Sequence, residues 1–183
     1  RRFQATNGGF GYWPGDDDSA DWATNYAGHF AIEAQRAGYL PPAGLLDQWT
    51  GFQRRRARSW VAGEGQVELT QAYRLFTLAL AGAAELSAMN QLRERESLPV
   101  AAKWRLAAAY QLAGQPEAGR ALATRGPVTI APYRKLSFTY GSDLRDRAMV
   151  LEAVVLLDLP EHVGPLAKGL SEALSRNLWL STQ

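Results

Sequence analysis

The chain contains no cysteine among its 183 residues. Disulfides, thiolate metal sites and cysteine nucleophiles are excluded within it. Histidine is almost as scarce: His29 and His162 are the two present. No Gly-x-Ser-x-Gly, phosphate-cradling glycine loop, His-Glu-x-x-His or paired metal spacing occurs, so no cofactor or bound metal is expected. Long apolar runs are missing too. The longest uncharged apolar-rich stretch, residues 75–84, is ten residues, against the roughly 18 to 20 that cross a bilayer. Nor does either charge sign dominate, since 20 Lys+Arg against 18 Asp+Glu leave +2. That is not the field of a nucleic-acid binder. Arg1 stands where an initiating Met or signal peptide would, and the chain stops shortly after Trp179 without a cap or tail. Both ends read as cuts from a longer chain.

What is present is an ordinary globular composition, 46% hydrophobic and 21% charged. It excludes low-hydrophobicity disorder and suits one domain, residues 1–183, with a core that needs no staple. The opening segment NGGFGYWPGDDDSAD (7–21) is turn chemistry, its glycines supplying the positive φ that a reversing backbone needs. Ser19 offers a helix cap, and a first helix is predicted over about 20–36, with Trp22, Tyr26, Phe30 and Ala34 as its apolar face.

Further helices are predicted over about 42–62, 69–91, 98–113, 116–125, 143–159 and 161–177, seven in all. The third, apolar around most of its circumference, reads as an inner element. Residues 126–139, with two prolines and β-branched side chains, read as an extended excursion, and Ser142 caps the helix after it. The fold class is all-α, as successive antiparallel helical hairpins. An echo supports a repeated unit: Phe10-Gly11-Tyr12-Trp13 before one apolar helix, Phe138-Thr139-Tyr140-Gly141 before another, and Leu178-Trp179-Leu180 as a third opening.

Asp17, Asp18 and Asp21 spell DDxxD, a spacing that in terpene synthases holds magnesium against a diphosphate. No second metal-binding set follows, and acids at a helix start also suit the helix dipole with no metal at all. Arg54, Arg55, Arg56 and Arg58 read as a solvated helix face rather than a nucleic-acid groove, because Phe52 and Trp60 are better used as core. His29 reads as a satisfied helix-face residue and His162 as surface. One hairpin around Trp104, Tyr110 and Ala118 is also compatible with a helical-repeat adaptor.

The segment NGGFGYWPG…DWATNYAGHFAIEAQRAGY resembles the thioester-containing helical domain of bacterial alpha-2-macroglobulins, relatives of the complement proteins. Asn7, Gly8, Gly9, Phe10, Gly11, Trp13, Pro14, Gly15, Trp22, Thr24 and Tyr26 fill the places of that family's turn and helix opening. Tyr140, Gly141, Ser142, Arg145 and Asp146 are similar to its Y-G-S-x-x-R-D opening, and residues 178–183 to its W-x-S-T-Q opening. The resemblance implies an α/α toroid shaped like terpenoid cyclases and protein prenyltransferases. It implies no turnover but a part in a periplasmic protease-trapping inhibitor, possessed of a parent chain that is often lipid-anchored. Partners would be the parent's other domains and target proteases, the piece itself being monomeric. It places Tyr140, Gly141 and Ser142 on the loop side facing a thioester pocket. The family's Cys-x-Glu-Gln motif, which precedes the first turn, is not in this sequence, and the chain is too short for a closed toroid.

Overall fold

The computed structural model describes residues 2–62, 66–124, 126–134 and 139–176. The described residues form eight helices and no strand. They are α1 (Asp21–Arg36), α2 (Leu45–Arg58), α3 (Gln66–Leu80), α4 (Leu86–Arg93), α5 (Val100–Leu112), α6 (Pro116–Ala123), α7 (Asp143–Leu156) and α8 (Pro160–Ser175). The helix expected over about 69–91 is thus two. Gly82, at φ +72°, turns the chain after Leu80, and Glu85 opens α4. Apolar side chains run through the break, so periodicity alone did not reveal it.

The helices lie in two layers. Odd-numbered helices form one row, α1 against α3, α3 against α5 and α5 against α7; α2 backs α1 and α3, α4 backs α3 and α5, α6 backs α5, and α8 backs α7. The centre of the row is α5, where Ala101, Ala102, Ala107, Ala108 and Ala109 are all buried. Small side chains let helix backbones approach closely, which explains why α3 and α5 share the most extensive contact. Trp49, Trp104, Phe76, Leu75, Leu78 and Leu106 fill the space between the layers with side chains fully removed from water. Each such large apolar group contributes about 1.5–3 kcal/mol.

Between α1, α2 and α3 the core is polar. Asn25, Gln53, Gln71 and Arg74 are all at most 1% exposed. Gln53 Nε2 donates to Asn25 Oδ1, Arg74 Nε to Gln53 Oε1 at 3.0 Å, and Arg74 Nη1 to Gln71 Oε1. Asn25 and Gln71 donate onward to the carbonyls of Thr70 and Ala57. Buried polar groups with their bonds made fix a single packing geometry, since any slip would strand several of them.

Two details differ from expectation. Ser19 does not cap α1: the cap position is Ala20, without a side-chain bond, and the Ser19 hydroxyl accepts from Asn7 instead. The face of α1 that is buried runs through Trp22, Asn25, Gly28 and Ile32, while Tyr26 and Phe30 are 52% and 72% exposed. Ser142 does cap α7, accepting from Arg145 N at 3.2 Å. Residues 126–134 carry no helix, and an isolated bridge joins Arg134 to Ser142. The third aromatic opening, at 178–182, lies outside the described residues.

Candidate functional site

The first corner is held from both sides. Gly9 N donates to the Asn7 side chain at 2.9 Å, Gly11 N to Phe3 O at 3.0 Å, and Gly15 N to Arg2 O at 2.9 Å. Gly8 sits at φ +95° with its α-carbon so close to α2 that a Cβ would lie 2.3 Å from the Gln48 carbonyl oxygen. Only glycine satisfies both conditions. Phe10 is clasped to α1 by Thr24, whose hydroxyl accepts from Phe10 N at 2.8 Å, and Trp49 Nε1 donates to Thr24 O at 2.8 Å. Phe10 and Trp22 are buried, whereas Trp13 is 73% exposed beside the exposed Pro14.

The second corner is built around Arg145. Its Nη1 donates to Thr139 O at 2.6 Å, and its Nε and Nη2 donate to Asp146 Oδ1 at 2.9 and 2.7 Å. Tyr133 donates its hydroxyl to Asp146 Oδ2, and burial followed by that carboxylate pushes the Tyr133 phenol well above its ordinary range. Gly141 is buried, and Tyr140 takes the left-handed conformation at φ +48°.

The two corners meet. The Arg145 guanidinium lies over the Trp22 ring, 4.5 Å from its centre, and Tyr12 packs edge-on against Tyr140 with ring centres 6.4 Å apart. The beginnings of α1 and α7, more than a hundred residues apart in sequence, therefore lie side by side. Beneath them opens a cavity of about 650 Å³, whose mouth carries Phe3, Tyr12, Tyr26 and Tyr140 and whose wall carries Trp22 and Met149. Its polar groups are His29, Arg105, Arg145 and Glu152. Such a hollow, apolar with a few convergent polar groups, is the form a binding site takes.

Of the residues singled out from sequence, Phe10, Gly11, Trp22, Tyr26, Tyr140 and Arg145 line this cavity. Asp146 supports it from behind through Arg145, and Ser142 fixes the start of α7. Gly8, Gly9 and Gly15 shape the first corner, and Trp13 and Pro14 sit at its exposed tip.

The DDxxD acids do not converge on one another. Asp17 and Asp18 are exposed, and Asp21 is bound by two guanidiniums, Arg56 at 2.8 Å and Arg74 at 2.9 Å. Burial raises its carboxyl pKa, but the Arg56 bond and the Arg74 charge outweigh it and hold Asp21 below its ordinary value. A magnesium ion would have to displace both. Among the described residues no group of three or more His, Cys, Asp or Glu could hold a metal.

The arginine cluster is exposed to solvent, as expected, and is also paired. Arg54 and Arg58 both donate to Glu85 at the start of α4, Arg55 to Asn7 O at 2.8 Å, and Arg56 to Asp21. Four adjacent cations thus tie α2 to the first corner, α1 and α4.

No protein-family model and no curated protein matches the sequence. Solved structures do. Native alpha-2-macroglobulin from Escherichia coli, spanning domain MG7 to the C-terminus, aligns with 99% of this chain at 23% identity and a TM-score of 0.84. Salmonella alpha-2-macroglobulin reacted with methylamine aligns with 99% at 26% identity and a TM-score of 0.84. The trypsin-activated E. coli protein gives 23% identity and a TM-score of 0.83. The chain fits a fragment of a bacterial alpha-2-macroglobulin. It spans 30%, 12% and 13% of those three chains, respectively.

The sequence motifs mark the two corners and not the floor between them. Tyr73, Arg105 and Glu152 were not selected. A signal existed: Arg105 stands between Trp104 and the apolar run Leu106–Tyr110 of α5, and Glu152 is the lone acid in the apolar second half of α7.

Proposed function

We propose that this chain is a structural and interaction module of a bacterial alpha-2-macroglobulin-like, protease-trapping inhibitor, with no turnover of its own. The observation that carries the reading is the alignment of 99% of the chain with such proteins at TM-scores of 0.84. In the parent protein a protease would cut a bait segment and be enclosed as the molecule rearranges. The module would belong to a larger α/α toroid, and its partners would be the parent's other domains and the trapped protease. The exposed Tyr26 and Phe30 on α1 support this, because an aromatic helix face of this kind suits a further helix beside it.

The meeting of the two corners gives the reading its site. Tyr140, Gly141 and Ser142, with Tyr12 opposite, form the rim that would face a thioester carried elsewhere in the parent; this chain, lacking cysteine, supplies none of it. A periplasmic location follows from the same family reading. No helix among the described residues is long and apolar enough to cross a membrane.

The test is a trapping assay on the parent protein. Trypsin mixed with an excess of it should lose activity towards large protein substrates and keep activity towards a small peptide substrate, which can reach an enclosed enzyme. Equal activity on both substrates, with or without the parent, would refute the reading.

A further inference from the structure

The face of the molecule at which α1 and α7 begin carries an exposed apolar surface. Tyr12, packed against Tyr140, stands between two hollows. On one side lies the cavity of about 650 Å³ described above, with Phe3 and Tyr26 at its mouth. On the other lies a hollow of about 530 Å³ bordered by Trp60, Val61, Asp21 and Arg56. Phe3, Tyr12, Trp13, Val61 and Tyr140 are all exposed, and the bulkiest of them, Trp13, stands at the tip of the first corner.

The backbone beneath Trp13 is fixed. Its N–H donates to Asp16 Oδ2 at 3.2 Å, and its carbonyl accepts from Asp16 N at 3.3 Å. Gly15, at φ +86°, reverses the chain and donates its N–H to Arg2 O at 2.9 Å. Folding thus sets the geometry of this turn and leaves the indole in water. An aromatic group presented in this way loses little further freedom when a partner meets it, which is how interface anchors act. Contiguous exposed apolar surface marks contact with another protein surface.

The rim beside this anchor is acidic. Asp17 and Asp18 follow the turn, both exposed and without an ion pair among the described residues, whereas Asp21 is held by Arg56 and Arg74. The arginines of α2 do not neutralise the pair, because Arg55 is turned to Asn7 O, Arg56 to Asp21, and Arg54 and Arg58 to Glu85. An indole next to two unpaired carboxylates suits a lysine or arginine side chain, which meets the ring face and the carboxylates at once.

We propose that this face docks another domain of the same parent chain, one that lays an apolar surface over Tyr12, Trp13 and Tyr140 and brings lysine or arginine side chains to Asp17 and Asp18. The proposal rests on the reading of this chain as one module of a longer protein. The matched chains are several times longer, so a parent of their length supplies such a domain itself. A tethered partner meets a patch of this size at high effective concentration, which a free partner does not. The face is separate from the side of α1 that carries Phe30, where a further helix would lie.

Hydroxyl-radical footprinting of the intact parent reads the contact. Trp13 should be oxidised at less than about a tenth of its rate in the denatured parent, close to the wholly buried Trp49 of the same sample. A Trp13 rate nearer to that of the denatured protein than to that of Trp49 overturns the docking face. Asp17→Arg with Asp18→Arg should raise Trp13 oxidation at least about fivefold while Trp49 stays protected, and Asp17→Asn with Asp18→Asn should raise it less. Unchanged Trp13 oxidation in both pairs overturns the basic partner. With p-benzoylphenylalanine in place of Trp13, irradiation of the intact parent should give a cross-link to a segment outside the helical domain that carries lysine or arginine. A cross-link inside that domain, or to a second copy of the parent, overturns the occupant. A parent that fails to enclose trypsin still protects Trp13 or leaves it open, so this proposal and the trapping reading fail separately.

Discussion

Gly28 shows how much one missing side chain can decide. It lies on the buried face of α1 against Trp49, and a Cβ there would come within 2.0–2.4 Å of three indole atoms. Trp49 cannot yield, because it is wholly buried and its indole nitrogen is bonded to Thr24 O. Gly28→Ala should therefore destabilise the chain by about 1–3 kcal/mol despite the better helix propensity of alanine. Urea unfolding checks this, and an unchanged midpoint would show that α1 can shift away from α2. Nothing in the sequence distinguished Gly28 from any other small helical residue. A close approach depends on what arrives from another helix, here 21 residues further along the chain. Arg74 was hidden for the same reason, since a buried arginine is recognisable only once Gln53, Gln71 and Asp21 are seen around it. Gly8, Phe10 and Tyr140 were legible, because turn chemistry is written in adjacent residues.

At the scale of elements, helix identity followed from periodicity, and the errors fall where periodicity is silent. Residues 69–91 stay apolar through the turn at Gly82, so one helix was read where α3 and α4 stand. Charge carries more than a helical wheel shows: the arginines of α2 face solvent, as their pattern says, and they also fasten three other segments. Glu85 is the centre of that fastening, with a carboxylate 8% exposed between Arg54 and Arg58. The Arg58 bond, against the opposing effect of burial and with Arg54 adding to it, lowers the Glu85 pKa. Because the folded value lies below the unfolded one, this contribution is complete above the ordinary carboxylate range and disappears as pH falls through the folded value. Glu85→Gln should thus lower the melting temperature near neutrality. The gap from wild type should narrow as pH is brought from about 6 to about 3. A constant gap would mean that α4 is held by its packing, through Met89 and Leu92, and not by the clamp.

For the whole molecule, two layers joined in order from α1 to α8 leave the ends of the inner row distinct from its middle. Helices α3 and α5 have inner neighbours on both sides, whereas α1 has only α3. Its water-facing side carries Phe30 and, at the cavity mouth towards α7, Tyr26, an aromatic pair at helical spacing that the sequence pattern read as part of an apolar face. The structure leaves that pair largely in water, and a helix to cover it belongs to the proposed parent. The matched alpha-2-macroglobulin chains are several times longer, so the proposed larger toroid has material to cover that face. A double substitution, Tyr26→Ser with Phe30→Ser, separates the two contexts. In this chain both side chains already meet water, and the change should stay within about 0.5 kcal/mol per site. In the parent, a covering helix would remove them from solvent, and each loss should cost about 1.5–3 kcal/mol. Unfolding both proteins, with and without the substitutions, measures the difference. An equally small effect in each would mean that α1 stays at an open edge in the intact protein, and that the row of inner helices does not continue past it.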